Sequence, residues 1–159
     1  MKLITGNMYF VKDSFFELIN DPYLMMNHPS TKRPHYYAFK DRHTDLYWLI
    51  PCSSKIEKYE RILAQRKKHG RPTDTIKIVK IWGKKSALLL QDMFPISEKY
   101  IYGPYIRKGK IVGVTDDKVM QEIEAAANHV VNMIRAGIRF CPYQPNVMRI
   151  EKILLEESS

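Results

Sequence analysis

Leu46-Tyr47-Trp48-Leu49-Ile50-Pro51-Cys52-Ser53-Ser54-Lys55 is the stretch on which the fold turns. Residues 46–50 are aliphatic and aromatic throughout, the composition of a buried strand. The chain then changes character. Ser54, followed three residues later by Glu57, has the spacing of a capping box, in which each side chain takes the other residue's backbone N–H. A helix starting there leaves its first N–H groups without intrahelical partners. Lys55 would occupy the first helical position, where the helix dipole disfavours a cation by roughly 0.3–1 kcal/mol. A residue placed against the local field points to a compensating anion, and a phosphate at a helix N-terminus is the natural one. The plainer alternative is a well-capped helix whose Lys55 swings into solvent.

Working outward, residues 35–39 (His-Tyr-Tyr-Ala-Phe) read as a second strand, and the polar run 41–45 reads as the turn between the two. The hairpin so formed has His35 at its open end on one arm and Pro51 to Lys55 on the other. Antiparallel pairing thus brings residues nearly twenty apart into reach. Downstream, a basic helix runs over residues 55–69, with Ile56, Tyr59, Ile62 and Leu63 as its apolar stripe and Gly70 as a left-handed stop. Its Lys58, Arg61 and Arg66 are either a solvated face or a phosphate track. Upstream lie a short strand at residues 8–11 and a helix opened by Asp13 and Ser14 and closed at Asp21-Pro22. A proline-rich loop over residues 27–34 carries Lys32 and Arg33, and such loops concentrate binding groups.

Beyond Gly70, strands are expected at residues 76–81 and 87–90, with Trp82-Gly83-Lys84-Lys85-Ser86 turning between them. Residues 94–114 read as irregular and rich in tyrosine. There Tyr100, Tyr102 and Tyr105 stand beside Arg107, Lys108 and Lys110, the mixture of stacking and charge that unpaired bases and their phosphates need. The same tyrosines would also serve to pack a long loop. Asp116 caps a helix whose Ile123, Ala127, Val130 and Ile134 recur at helical period, and an amphipathic helix follows Val147.

A chain of 159 residues, 45% hydrophobic and 27% charged, is expected to fold as a single domain over residues 1–159, burying roughly 70% of its unfolded surface. Its 26 Lys and Arg against 17 Asp and Glu give a net charge of +9, which favours a polyanionic partner, nucleic acid ahead of membrane. No run is long enough to span a membrane and no signal segment is visible, so a cytoplasmic protein is expected. Cys52 and Cys141 lack any paired spacing, and the five histidines lack ligand spacing, so neither disulfide, metal site nor cofactor is indicated. No glycine-rich phosphate loop or nucleophile elbow occurs.

The chemistry left is a metal-free site built from His35, Ser53, Ser54 and Lys55, with Lys32, Lys58 or a loop tyrosine beside it. These groups suit RNA scission by internal attack. A base takes the 2′-hydroxyl proton, and histidine, titrating near about 6.5, fits that role. Hydroxyls, the helix N-terminus and Lys55 would stabilise the charge of a phosphorane-like transition state. Against this, a lone His35 at a strand start is also an ordinary member of an aromatic cluster.

These residues carry a resemblance. The strand ending in Pro51, the hydroxyl pair Ser53-Ser54 and Lys55, with Pro34-His35 before the preceding strand, is similar to the ToxN/AbiQ endoribonuclease toxins of type III toxin–antitoxin systems, above all their CptN branch. The resemblance implies an α+β fold of the MazF/Kid kind, a small, highly twisted antiparallel sheet or partly open barrel with surrounding helices. It implies metal-independent cleavage of single-stranded mRNA that leaves a 2′,3′-cyclic phosphate. It also implies inhibition by a small pseudoknotted antitoxin RNA, processed by the toxin from a repeat array, in a closed assembly where protein and RNA alternate. Ser53 and Ser54 match the family's hydroxyl pair, the second being essential. Lys55 matches its lysine, with Lys58 as the other candidate. His35 stands where the better-known branch has lysine. The expected RNA contacts are Lys32, Arg33, Lys58, Arg61, Lys84, Lys85, Tyr102, Tyr105, Arg107 and Lys108. Two rivals use the same basic surface: a noncatalytic RNA-binding protein, and a DNA-binding factor, which lacks a helix pair with a polar recognition face.

Overall fold

The computed structural model describes residues 2–24, 27 and 32–158; of the expected binding loop, residues 28–31 lie outside the described residues. In chain order the elements are β1 (Met8–Val11), α1 (Asp13–Ile19), β2 (Pro34–Lys40), β3 (Tyr47–Ser53), α2 (Ile56–Lys68), β4 (Ile76–Ile81), β5 (Lys84–Leu89), β6 (Phe94–Ile96), β7 (Ile101–Pro104), β8 (Ile106–Arg107), β9 (Lys110–Ile111), α3 (Asp117–Arg135) and α4 (Val147–Ser158). Seven strands form one antiparallel sheet in the order β4-β5-β3-β2-β1-β7, with β6 added to β3. The α+β architecture expected from the sequence is present. The sheet stays open, with β4 and β7 as its ends, and no closed barrel forms among the described residues. No helix among them is long and apolar enough to cross a membrane.

Strand β3 is the axis of the sheet, buried at every position after Tyr47. One edge pairs with β2 from Tyr47 to Pro51. The other pairs with β6 at Tyr47–Leu49 and then with β5 at Cys52 and Ser53. Pro51, which has no N–H to donate, sits at this change of partner, where a missing donor costs least. The hairpin register is the expected one, His35 opposite Pro51 and Tyr36 opposite Ile50. It slips at Ala38, where Tyr37 faces Leu49 but Phe39 faces Trp48, a bulge that adds twist. Both faces of β2 are covered, so the two-residue alternation that marks a half-exposed strand is lost.

The main core gathers Trp48, Ile50, Phe15 and Phe94 from the sheet side with Ile123, Ala127, Val130 and Ile134 of α3, the stripe its periodicity predicts. Asp116 caps α3, its Oδ1 accepting from the N–H groups of Lys118 and Val119 at 2.9 and 3.2 Å. A smaller cluster, Tyr59 with Ile76, Ala87 and Leu89, seats α2 on β4 and β5. Gly70 ends α2 with φ of 64°.

Three expectations need correction. Ser54 and Glu57 form no capping box, because β3 runs through Ser53 and the helix begins only at Ile56. Lys55 is the N-cap, and no side chain caps the end. Lys84, Lys85 and Ser86 belong to β5 and not to a turn; the turn is Trp82-Gly83 alone, with φ of 53° and 78° at its two residues. That is the primed hairpin turn preferred by Asn-Gly, and Trp in a left-handed position costs roughly 1–2 kcal/mol. Finally, residues 94–114 hold β6 to β9, short strands fixed by tertiary bonds such as Met8 N–H to the Val112 carbonyl at 2.9 Å.

His35 is fully buried. Its ring packs edge-on to Phe94 at 5.3 Å and tilted against Phe16 at 6.5 Å. Among the described residues, neither ring nitrogen has a partner in good hydrogen-bonding geometry. Burial, reinforced by the nearby Arg33 charge and opposed only weakly by the Arg33 backbone, lowers its pKa from 6.5 to about 3. The folded state therefore holds a neutral imidazole, and the unfolded state gains a proton below 6.5. Stability from this source is complete above pH 6.5 and falls by up to about 1.4 kcal/mol per pH unit on acidification towards 3. Replacing both unsatisfied nitrogens by carbon removes that linkage. His35→Leu is expected to keep or raise the melting temperature at pH 7.5 and to flatten its fall between pH 6.5 and 4. A lower melting temperature at pH 7.5 with an unchanged acid slope contradicts the assignment.

Candidate active site

At the open end of the β2–β3 hairpin lies a cleft of about 330 Å³. Its floor and walls come from Met8 of β1, Lys32, Arg33 and Pro34 entering β2, Cys52 to Ser54 leaving β3, Ile81 ending β4, Lys84 to Ser86 at the start of β5, and Tyr105, Arg107 and Val112 from the segment around β8 and β9. Among the described residues, no carboxylate lines it. Antiparallel pairing makes this convergence, as the sequence predicts, but with a different basic residue at the centre. Arg33 Nη1 donates to the Cys52 carbonyl at 3.0 Å, tying the two arms together. Asn27 fixes the other side of Arg33. Its Oδ1 accepts the Arg33 N–H at 2.8 Å, while its Nδ2 donates to the Val11 carbonyl and to Asp13, each at 2.9 Å.

The two serines are not equivalent. Ser53 is buried, and its Oγ accepts the Lys55 N–H at 3.2 Å while lying within hydrogen-bonding reach of the Tyr59 phenol. Ser54 is exposed at the cleft wall, and its hydroxyl has no hydrogen bond among the described residues. Only its carbonyl is engaged, accepting the Ile56 N–H at 2.9 Å. Ser54 is thus the hydroxyl free to meet a ligand, and Ser53 the one that shapes the loop. Cys52 sits between them and Arg33 with its thiol pushed up to about 12 by burial, so it is no thiolate.

Of the expected site residues, Lys32, Arg33, Ser53, Ser54, Lys84, Lys85, Tyr105 and Arg107 meet at this cleft. Tyr102 is exposed at the rim, where the Lys32 ammonium stands 5.0 Å over its ring. His35, the base expected from the sequence, is not among the residues lining the cleft: it is fully buried, with its ring against Phe16 and Phe94. Lys55 adjoins the cleft in sequence but does not line it, and Lys108 lies in the two-residue turn between β8 and β9. Lys58 and Arg61 line another cavity, of about 550 Å³, along α2 with Arg66, His69 and Arg71. There Arg66 is braced by Thr75 at 2.8 Å and Gln91 at 3.0 Å. Asp92, raised to about 6 by burial and held back by Lys58, belongs to neither wall.

Sequence reasoning missed Ser86. The register of Ser53 with Ala87 carries it to the level of Ser54, giving the cleft a third hydroxyl. The signal was the Trp82-Gly83 pair, a sufficient turn by itself, which starts the next strand at Lys84. Among the described residues, no group of His, Cys, Asp or Glu is arranged to hold a metal ion.

No protein-family model matches the sequence, and no curated protein matches it. Solved structures do. AbiQ, a lactococcal anti-phage endoribonuclease belonging to the type III toxin–antitoxin system, superposes with a TM-score of 0.74 at 13% identity, over 98% of this chain and all of that one. A chain from a bacterial antiviral system regulated by a processed non-coding RNA superposes with a TM-score of 0.62, also at 13% identity, over 95% of each. Across nearly its whole length, this chain has the fold of AbiQ.

Proposed function

We propose that the protein is an endoribonuclease toxin of a type III toxin–antitoxin system and that the cleft between Arg33 and Ser54 is where it cuts RNA. The observation that carries this reading is a carboxylate-free cleft, lined by Arg33, Lys84, Lys85 and the free Ser54 hydroxyl, on the AbiQ fold. A phosphodiester held there would meet cations and hydroxyl donors with no competing anion, which favours the more highly charged transition state over the ground state.

The reaction is transphosphorylation within the substrate. The ribose 2′-oxygen forms a bond to the adjacent phosphorus as the bond to the 5′-oxygen breaks, leaving a 2′,3′-cyclic phosphate and a 5′-hydroxyl. The 2′ proton leaves the nucleophile and the departing 5′-oxygen takes one up, so no proton is consumed overall. With His35 enclosed, Tyr105 and the lysines are the candidates among the described cleft residues for carrying the proton. Arg33, anchored to the Cys52 carbonyl, supplies fixed charge to the phosphorane oxygens, and Ser54 and Ser86 supply neutral donors. The basic cavity along α2 gives a pseudoknotted antitoxin RNA a second surface to grip, in a closed cytoplasmic assembly in which RNA and protein alternate and the toxin processes its own inhibitor. A noncatalytic single-stranded RNA-binding protein is the second reading, favoured by one observation: among the described residues, no histidine lines the cleft.

The purified protein is expected to cleave single-stranded RNA in excess EDTA, giving cyclic phosphate ends that mass spectrometry identifies. A 2′-deoxyribose before the scissile phosphate should stop cleavage while binding persists. Cleavage that persists there, or that needs Mg²⁺, contradicts internal attack. Ser54→Ala should lower kcat by about 10²–10³-fold, the cost of losing one such donor. Its melting temperature should not change, because Ser54 caps nothing. Tight binding without any cleavage establishes the second reading instead.

A further inference from the structure

Beside the cleft lies a second cavity, of about 570 Å³, that the cleavage chemistry does not use. The two share their walls. Ile81 and Lys84 line the cleft while Trp82 and Gly83, between them, line the second cavity; likewise Val112 lines the cleft and Gly113 the second cavity. A strand whose phosphate rests in the cleft has this hollow next to it, across the tip of the β4–β5 hairpin. The chemistry of the two differs. Among the described residues the cleft has no carboxylate, whereas the neighbouring cavity carries both signs: Lys77 and Lys80 stand with Glu122 and Asp116, the Glu122 carboxylate 3.5 Å from the Lys77 ammonium and Asp116 engaged as the cap of α3.

Trp82 marks the same place. It is 41% exposed, so packing does not explain it. It occupies a left-handed backbone position, φ 53°, in a turn that Asn would satisfy without strain. A large aromatic ring held at such a position, facing solvent beside a basic cleft, has the form of a stacking platform. We infer that this cavity is a nucleobase subsite, in which Trp82 stacks on a base flanking the scissile phosphate. The inference rests on the RNA-cleaving reading of the adjoining cleft and adds a base-stacking element to it.

The variant Trp82→Asn separates structure from recognition, because Asn-Gly is the favoured pair for this turn. Its melting temperature should equal or exceed that of the unchanged protein. Its kcat/KM on a short single-stranded RNA should fall roughly 5- to 150-fold, the range seen when a base loses its aromatic partner. Trp82→Phe should recover part of the loss. Removing single bases as abasic sites around the cut should find one position where the unchanged protein loses rate and Trp82→Asn loses no more. With Trp48 wholly buried, Trp82 should also account for the fluorescence quenching on RNA binding, absent in Trp82→Asn. Equal rates and equal base preference in the two proteins overturn the subsite while leaving the cleavage reading intact. Failure of the unchanged protein to bind or cut RNA overturns both.

Discussion

The pairing of Pro34–Lys40 with Tyr47–Ser53 sets how far Arg33 lies from the Cys52 carbonyl, and through that bond the shape of the cleft. A slip of one residue would turn every side chain of the inner strand to the opposite face. What prevents the slip is burial on both sides of the hairpin together with the bulge at Ala38, which fits only one alignment. The charged group at the cleft centre is therefore positioned by hydrophobic packing some residues away from it.

A division of labour between neighbouring residues follows. His35 and Arg33 are two positions apart, yet one is a neutral core side chain and the other a cation at the cleft. Ser53 and Ser54 are adjacent, yet one hydroxyl is committed to the turn and the other is free. In each pair the backbone direction decides the role. A cation two residues from an imbedded imidazole also helps to keep that imidazole uncharged, so the two roles support each other.

Much of this was legible from residue patterns. The hairpin, the Asp116 cap, the α3 stripe and the Gly70 stop each follow from local rules that tertiary structure did not override. The errors have physical causes. His35 lies on a strand buried on both faces, where alternation cannot say which side chain reaches solvent. Ser54 and Glu57 have the spacing of a capping box, but β5 holds β3 in the sheet as far as Ser53 and delays the helix to Ile56. The strands β6 to β9 are two to four residues long, too short for a periodic signal, and exist because of their partners: β3 for β6, β1 for β7, and β8 and β9 for each other. Arg33 could not be ranked above Lys32 without the position of the Cys52 carbonyl. The resemblance read around residues 34–58 agrees with the shared AbiQ fold, although at 13% identity the shared fold does not assign roles to single side chains.

If the cleft is the cutting site, RNA poised for cleavage engages the residues around Arg33 and not the basic cavity along α2. Backbone amide NMR shifts, recorded with a short RNA made uncleavable by one 2′-deoxyribose, test this most directly. The predicted result is a set of large shifts at Arg33, Ser53, Ser54 and Lys84 to Ser86. Shifts confined to residues 58–71, with those amides unmoved, would contradict it.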